Sequence, residues 1–126
     1  MRVELRKPDL LQWFGVFGGP LAWATQHMVG VFLTFADCGS VGHPFPIAIH
    51  TVTLAISIPL AVVALLALVA SVAGFRRTRG CKASDAPPKG RRYFFAIVGM
   101  TISPLFLFMI LMSSSGVVGL TECRQA

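Results

Sequence analysis

The sequence predicts an all-α integral membrane protein of three transmembrane helices. Two observations carry the prediction. Of 126 residues, 55% are hydrophobic and only 13% charged, against about 25% charged in a soluble domain. The charges are also gathered at segment ends, leaving Leu10–Ala36, Ile47–Phe75 and Tyr93–Leu120 without any Lys, Arg, Asp or Glu. Each run exceeds the roughly 20 residues that cross a hydrocarbon core of about 30 Å. A soluble three-helix bundle would instead need a polar face on every helix.

The basic residues orient the helices. Arg2, Arg6 and Lys7 precede the first run, and Arg76, Arg77, Arg79, Lys82, Lys89, Arg91 and Arg92 fill the segment between the second and third. The other connection, "DCGSVGHPFP", has none. The positive-inside rule therefore places the N-terminus and the second loop in the cytoplasm, and the first loop and C-terminus outside. The net charge of +6 reads as topology. The basic loop lacks interleaved aromatics and is tethered at both ends, so nucleic acid is not an expected partner. Lipids are, because the loop attracts anionic headgroups.

The chain reads as one membrane domain, residues 1–126, with helices at about 10–36, 47–75 and 93–120, an outer loop at 37–46 and a cytoplasmic basic loop at 76–92. The first run is too long for the core of a cleaved signal peptide, which spans about 7–15 residues, and no small-x-small site closes it. The "FADC" stretch is not a lipoprotein box, since Phe35 stands where a small residue is needed and Asp37 precedes the cysteine. Multi-pass insertion in a bacterial inner membrane is the expected location.

Each helix carries one interior proline, Pro20, Pro59 and Pro104. Proline removes a backbone donor, and in lipid the freed carbonyl must be served by a neighbouring side chain. Ser57 and Ser103 stand beside two of the prolines and are candidates for that service. Small residues mark contact faces: Gly15 and Gly19 with Ala22, the alanines at 61, 64, 67, 70 and 73, Gly99 with Ser103, and Ser115 with Gly119.

Gln26 and His27 lie deep in the first run, about nine residues or 13 Å from its outer end. An ionisable group at that depth is a functional candidate by default. Two readings stay open: an interhelical hydrogen bond, within this chain or to a partner protein, and a ligand. His27 with His50 would make a haem pair, but His50 sits only about 5 Å deep by the same count, and axial ligands need matched depth. His27 with Met109 and Met112 would suit Cu(I) by ligand softness. The paired motifs of copper carriers are absent, however, and Met28 points about 100° away from His27.

Cys38 and Cys123 both emerge just past helix ends on the outer, oxidising side, so a disulfide between them fits compartment and topology. Cys81, in the cytoplasmic loop, is expected as a free thiol. The serines of "SSSG" at 113–116 have no acid–histidine pair to activate them. No intramembrane carboxylate or basic side chain offers proton coupling. The chain is therefore not expected to be an enzyme, and a homo-oligomeric channel or carrier ranks last.

"WFGVFGGPLAWATQH" (Trp13–His27) with Cys38 beyond it resembles small uncharacterised three-helix membrane proteins of bacteria found beside genes for haem–copper terminal oxidases. The likeness rests on Gly19-Pro20, Ala22-Trp23, Gln26 and Cys38, and covers the first third of the chain. It implies a respiratory, electron-transport setting, as accessory subunit or assembly helper, and implies no ligand residue. The expectation is a non-catalytic subunit of a larger respiratory membrane complex, without a cofactor of its own, touching its partner through Gly15, Gly19, Trp23, Gln26 and His27. The alternative is an assembly factor or haem- or metal-handling protein using His27 and His50.

Overall fold

A computed structural model describes residues 7–38 and 48–119. Three helices account for nearly all of them: α1 (Lys7–Cys38), α2 (Ile49–Arg77) and α3 (Lys89–Gly119). At 32, 29 and 31 residues they measure about 44–48 Å at about 1.5 Å per residue. Each passes through its interior proline without ending. Among the described residues there is no strand.

By length and composition, two of the three, α2 and α3, are apolar enough to cross a membrane. The expectation of three is thus met in length by α1 but not in average apolarity. The reason lies in which residues dilute it. Gln26 and the glycines at 15, 18 and 19 are buried inside the bundle, whereas His27, the other strongly polar residue deep in the helix, is exposed. The outward face of α1 carries Phe17, Leu21, Met28, Phe32 and Phe35, all more than two-fifths exposed.

The helix ends also differ from the charge-free runs. Arg76 and Arg77 form the last turn of α2, where cations complement the C-terminal end of the helix dipole. Lys89, Arg91 and Arg92 form the start of α3, just after Pro87 and Pro88. The segment expected as a basic loop over 76–92 therefore contracts to 78–88. Of the outer loop expected over 37–46, positions 37 and 38 close α1 instead, and residues 39–47 and 120–126 lie outside the described residues.

Every helix packs on both others. The starts of α1 and α3 lie at the same end, since Gln12 Nε2 donates to the Arg92 carbonyl at 3.3 Å and Arg92 Nη2 pairs with Asp9 Oδ1 at 3.1 Å. The end of α2 joins them there, with Arg77 and Arg92 lining one cleft. The bundle therefore runs up, down, up. Its seam is built of mostly small residues repeating every seven, Gly15 and Ala22, Gly19, Ser57, Ala64 and Ser71, and Ala96 and Ser103, with the larger Gln26 and Ile110 at the same spacing, all buried. That 3.5-residue period is the one that left-handed bundles use. Ala22, Ala64 and Ile110 form the central apolar layer, with Trp23, Leu60 and Leu107 against it.

Candidate functional site

Two constrained features lie along the inner face of α1. The first is a hub at Gly15. Its carbonyl accepts from Ser71 Oγ on α2 at 3.0 Å and from Ser103 Oγ on α3 at 2.8 Å. Ser71 also donates toward the Ala67 carbonyl at 3.0 Å. A Cβ on Gly15 would meet Ser71 Oγ at 2.6 Å, and one on Gly99 would collide with the same oxygen. Glycine is needed at both positions because three backbones converge on one hydroxyl.

Ser103, beside Pro104, does reach a carbonyl, but on another helix rather than one that its own proline frees. The acceptor is one residue before Val16, the residue that Pro20 leaves without an i+4 donor. Ser57 acts differently again, accepting from Gln26 Nε2 at 2.8 Å.

Gln26 forms the second feature. It is 5% exposed. Its Nε2 also lies 3.1 Å from Ser114 Oγ and 3.4 Å from the Ile110 carbonyl. Ser114 in turn donates to the Ile110 carbonyl at 2.8 Å. One side chain of α1 thus ties α2 to α3, while its Oε1 is buried without a hydrogen-bond partner.

His27, one position on, turns the other way. It is exposed and stacks on Trp23, with ring centroids 5.4 Å apart and planes at 21°. Trp23 leans on Phe106 of α3, with centroids 5.5 Å apart. Of the five residues expected on a partner face, Gly15, Gly19 and Gln26 are spent inside this chain. Trp23 is half-buried, and His27 alone is fully outward.

Other exposed hydroxyls are silenced locally. Thr25 Oγ1 donates to the Leu21 carbonyl at 2.8 Å, Thr34 to Gly30 at 2.9 Å, Thr101 to Val98 at 2.9 Å and Ser115 to Met112 at 2.8 Å. Such back-bonding satisfies a donor without water.

The residues of the expected ligand sets lie on the surface. His27, His50, Met28, Met109 and Met112 are all exposed. No three His, Cys, Asp or Glu among the described residues converge to hold a metal ion. Cys38 closes α1, while Cys123 lies outside the described residues. Cys81 is a free, half-buried thiol in the segment between α2 and α3.

At the basic end the three helices part slightly. A cleft of about 160 Å³ opens there, lined by Leu11, Gln12, Ser71, Arg77, Arg92 and Phe95 among others. An aromatic collar surrounds this end: Trp13 lies 5.4 Å from both Phe17 and Phe95, and Tyr93 lies 6.0 Å from Phe75.

Sequence reasoning misses Ser71, Gln12 and the Asp9–Arg92 pair. Ser71 has a legible signal. It falls seven residues after Ala64 and fourteen after Ser57, on the same small-residue seam. Gln12 and Asp9 sit at the very start of the first helix, and nothing local marks their partners some 80 residues away.

These features define a class: an all-helical three-helix bundle, polar at its seam and apolar on its exterior, with two helices suited to a membrane. No family model, curated protein or solved structure matches the chain.

Proposed function

We propose that this chain is a non-catalytic subunit of a larger integral membrane complex, all three helices crossing the bilayer and the outer face of α1 meeting the partner. The single observation that carries the reading is His27. It stands outward on a helix face otherwise made of Phe, Leu, Met and Val, whose threonines are bonded back to their own backbone. Bare lipid is a costly surrounding for such an imidazole; a protein neighbour that offers an acceptor removes the cost. Stacking on Trp23 holds the ring in place for it.

Three spans are supported by the burial of Gln26 and of the glycines at 15, 18 and 19, and by Thr25 and Thr34 on the outer face being bonded back to their own backbone, which leaves His27 as the polar group presented outward. The basic end faces the cytoplasm under the positive-inside rule, with the collar of Trp13 and Tyr93 at headgroup level. A bacterial inner membrane is the setting suggested by the resemblance of Trp13–His27 and Cys38 to bacterial membrane proteins. The outer face is the oxidising one, where Cys38 pairs with Cys123. Cys38 is not a free thiol, and Cys81 is. A respiratory complex is the setting suggested by the resemblance of Trp13–His27 and Cys38 to proteins found beside terminal oxidases.

The test is purification of the tagged chain from native membranes in mild detergent, with partners, haem and metals quantified on one sample. The expected result is stoichiometric retention in a large complex, with no haem or metal following this chain when it is dissociated. His27→Gln should keep the complex, because an amide still hydrogen-bonds, whereas His27→Leu should release it. A small, partner-free species carrying haem or copper would replace this reading with the assembly or metal-handling one.

A further inference from the structure

We infer that the cleft at the basic end is a binding site for an anionic phospholipid, its phosphate held between Arg77 and Arg92 and its glycerol and upper acyl carbons against Leu11 and Phe95. This rests on the membrane reading above.

The argument starts from Arg92. Asp9 Oδ1 takes its Nη2 at 3.1 Å, which fixes the guanidinium, yet its Nε is buried with no hydrogen-bond partner. A buried N–H on a cationic group lacking an acceptor is expensive, and an arginine fixed in place is suited to phosphate oxygens. Arg77, at the end of α2, lines the same cleft and has no ion pair among the described residues. With Arg92 half neutralised by Asp9, Arg77 supplies the second cation.

Shape and surroundings select the class of anion. The volume of about 160 Å³ is close to that of an engineered protein cavity of about 150 Å³ that takes up benzene, and far exceeds what a phosphate oxygen needs. The walls include Leu11, Ala70, Phe95 and Ala96, which offer a free phosphate nothing but offer an acyl chain a surface. The cleft lies between helices, level with the aromatic collar, in a region carrying seven Lys and Arg against one aspartate between residues 76 and 92. Basic pockets between helices at the cytoplasmic surface are where anionic headgroups bind.

The experiment uses the full chain, purified and delipidated in a neutral detergent, with thermal unfolding followed as lipid is added. Phosphatidylglycerol should raise Tm in a saturable way, phosphatidylcholine should do so far less, and inorganic phosphate should not. Arg77→Gln, and separately Gly74→Leu, which fills the cleft and spares both arginines, should weaken the phosphatidylglycerol midpoint by about tenfold or more, as for a lost charge-assisted hydrogen bond. Arg79→Gln, exposed and outside the cleft, should leave it unchanged. Three results would overturn the inference: an equal response to phosphatidylcholine, a shift reproduced by inorganic phosphate, or an Arg79→Gln effect as large as that of Arg77→Gln. Alkaline carbonate extraction of membranes checks the underlying reading separately. Release of the chain sinks the membrane assignment itself, while retention without a phosphatidylglycerol preference sinks only the lipid site.

Discussion

Ser71 Oγ lies 3.0 Å from the Gly15 carbonyl and occupies the space that a methyl group on Gly15 would need. One hydroxyl thereby does two jobs, bonding α2 to α1 and fixing how closely they approach. Ser103 completes the junction from α3 at 2.8 Å.

Gly15→Ala should therefore destabilise the bundle by about 1–3 kcal/mol through overpacking. Removing the obstructing oxygen relieves the clash, so Gly15→Ala with Ser71→Ala should unfold later than the two single losses added together imply. A thermal or denaturant double-mutant cycle in detergent measures the coupling, expected at about 0.5–3 kcal/mol.

Gln26 and His27 should behave oppositely despite being adjacent. Gln26→Leu removes the tie between Ser57 and Ser114 and should lower stability by about 0.6–2 kcal/mol while leaving the partner attached. His27→Leu should change the stability of the isolated chain by no more than about 0.5 kcal/mol yet weaken the complex. Unfolding and co-purification assays on both variants separate the two roles. Loss of the complex in Gln26→Leu at unchanged stability would return Gln26 to the partner face.

Gly90 is closed in by backbone. A Cβ there would strike the Asp85 carbonyl oxygen and come within 2.8 Å of that of Ala83, and backbone cannot rotate away as a hydroxyl can. Gly90→Ala should cost about 1–3 kcal/mol and open the 78–88 segment. Faster alkylation of the half-buried Cys81 is the readout.

Thiol labelling checks the cysteine assignment. In unreduced, detergent-solubilised protein Cys81 alone should react, and reduction should expose Cys38 and Cys123 together. Labelling of Cys38 before reduction would remove the disulfide.

How much of the fold is legible in the sequence follows from what each signal averages over. Charge-free runs mark helices well, because an apolar stretch long enough to cross a bilayer must satisfy its backbone polar groups internally, and a helix does so within one segment. All three helices lie where the runs place them. Their ends are less legible. The runs stop at Phe75 and begin again at Tyr93, but helical hydrogen bonding continues through Arg77 and starts at Lys89, since a basic side chain at a helix end carries no backbone penalty. Contact faces are legible as stripes of small residues. Whether those faces meet this chain or another is not, because small-residue packing is the same physics in both cases.

The sequence by itself determined an all-helical chain with three long charge-free segments, a basic end, and a polar pair at Gln26–His27 deep within the first. Only the tertiary structure decided that Gln26 turns inward and His27 outward. Adjacent helical positions stand about 100° apart, so one of the two must leave the seam. The partners that keep Gln26 in, Ser57 and Ser114, lie 31 and 88 residues away. The same holds for Ser71 on Gly15 and Asp9 on Arg92: each contact is set by the register of whole helices, which no local pattern of residues encodes.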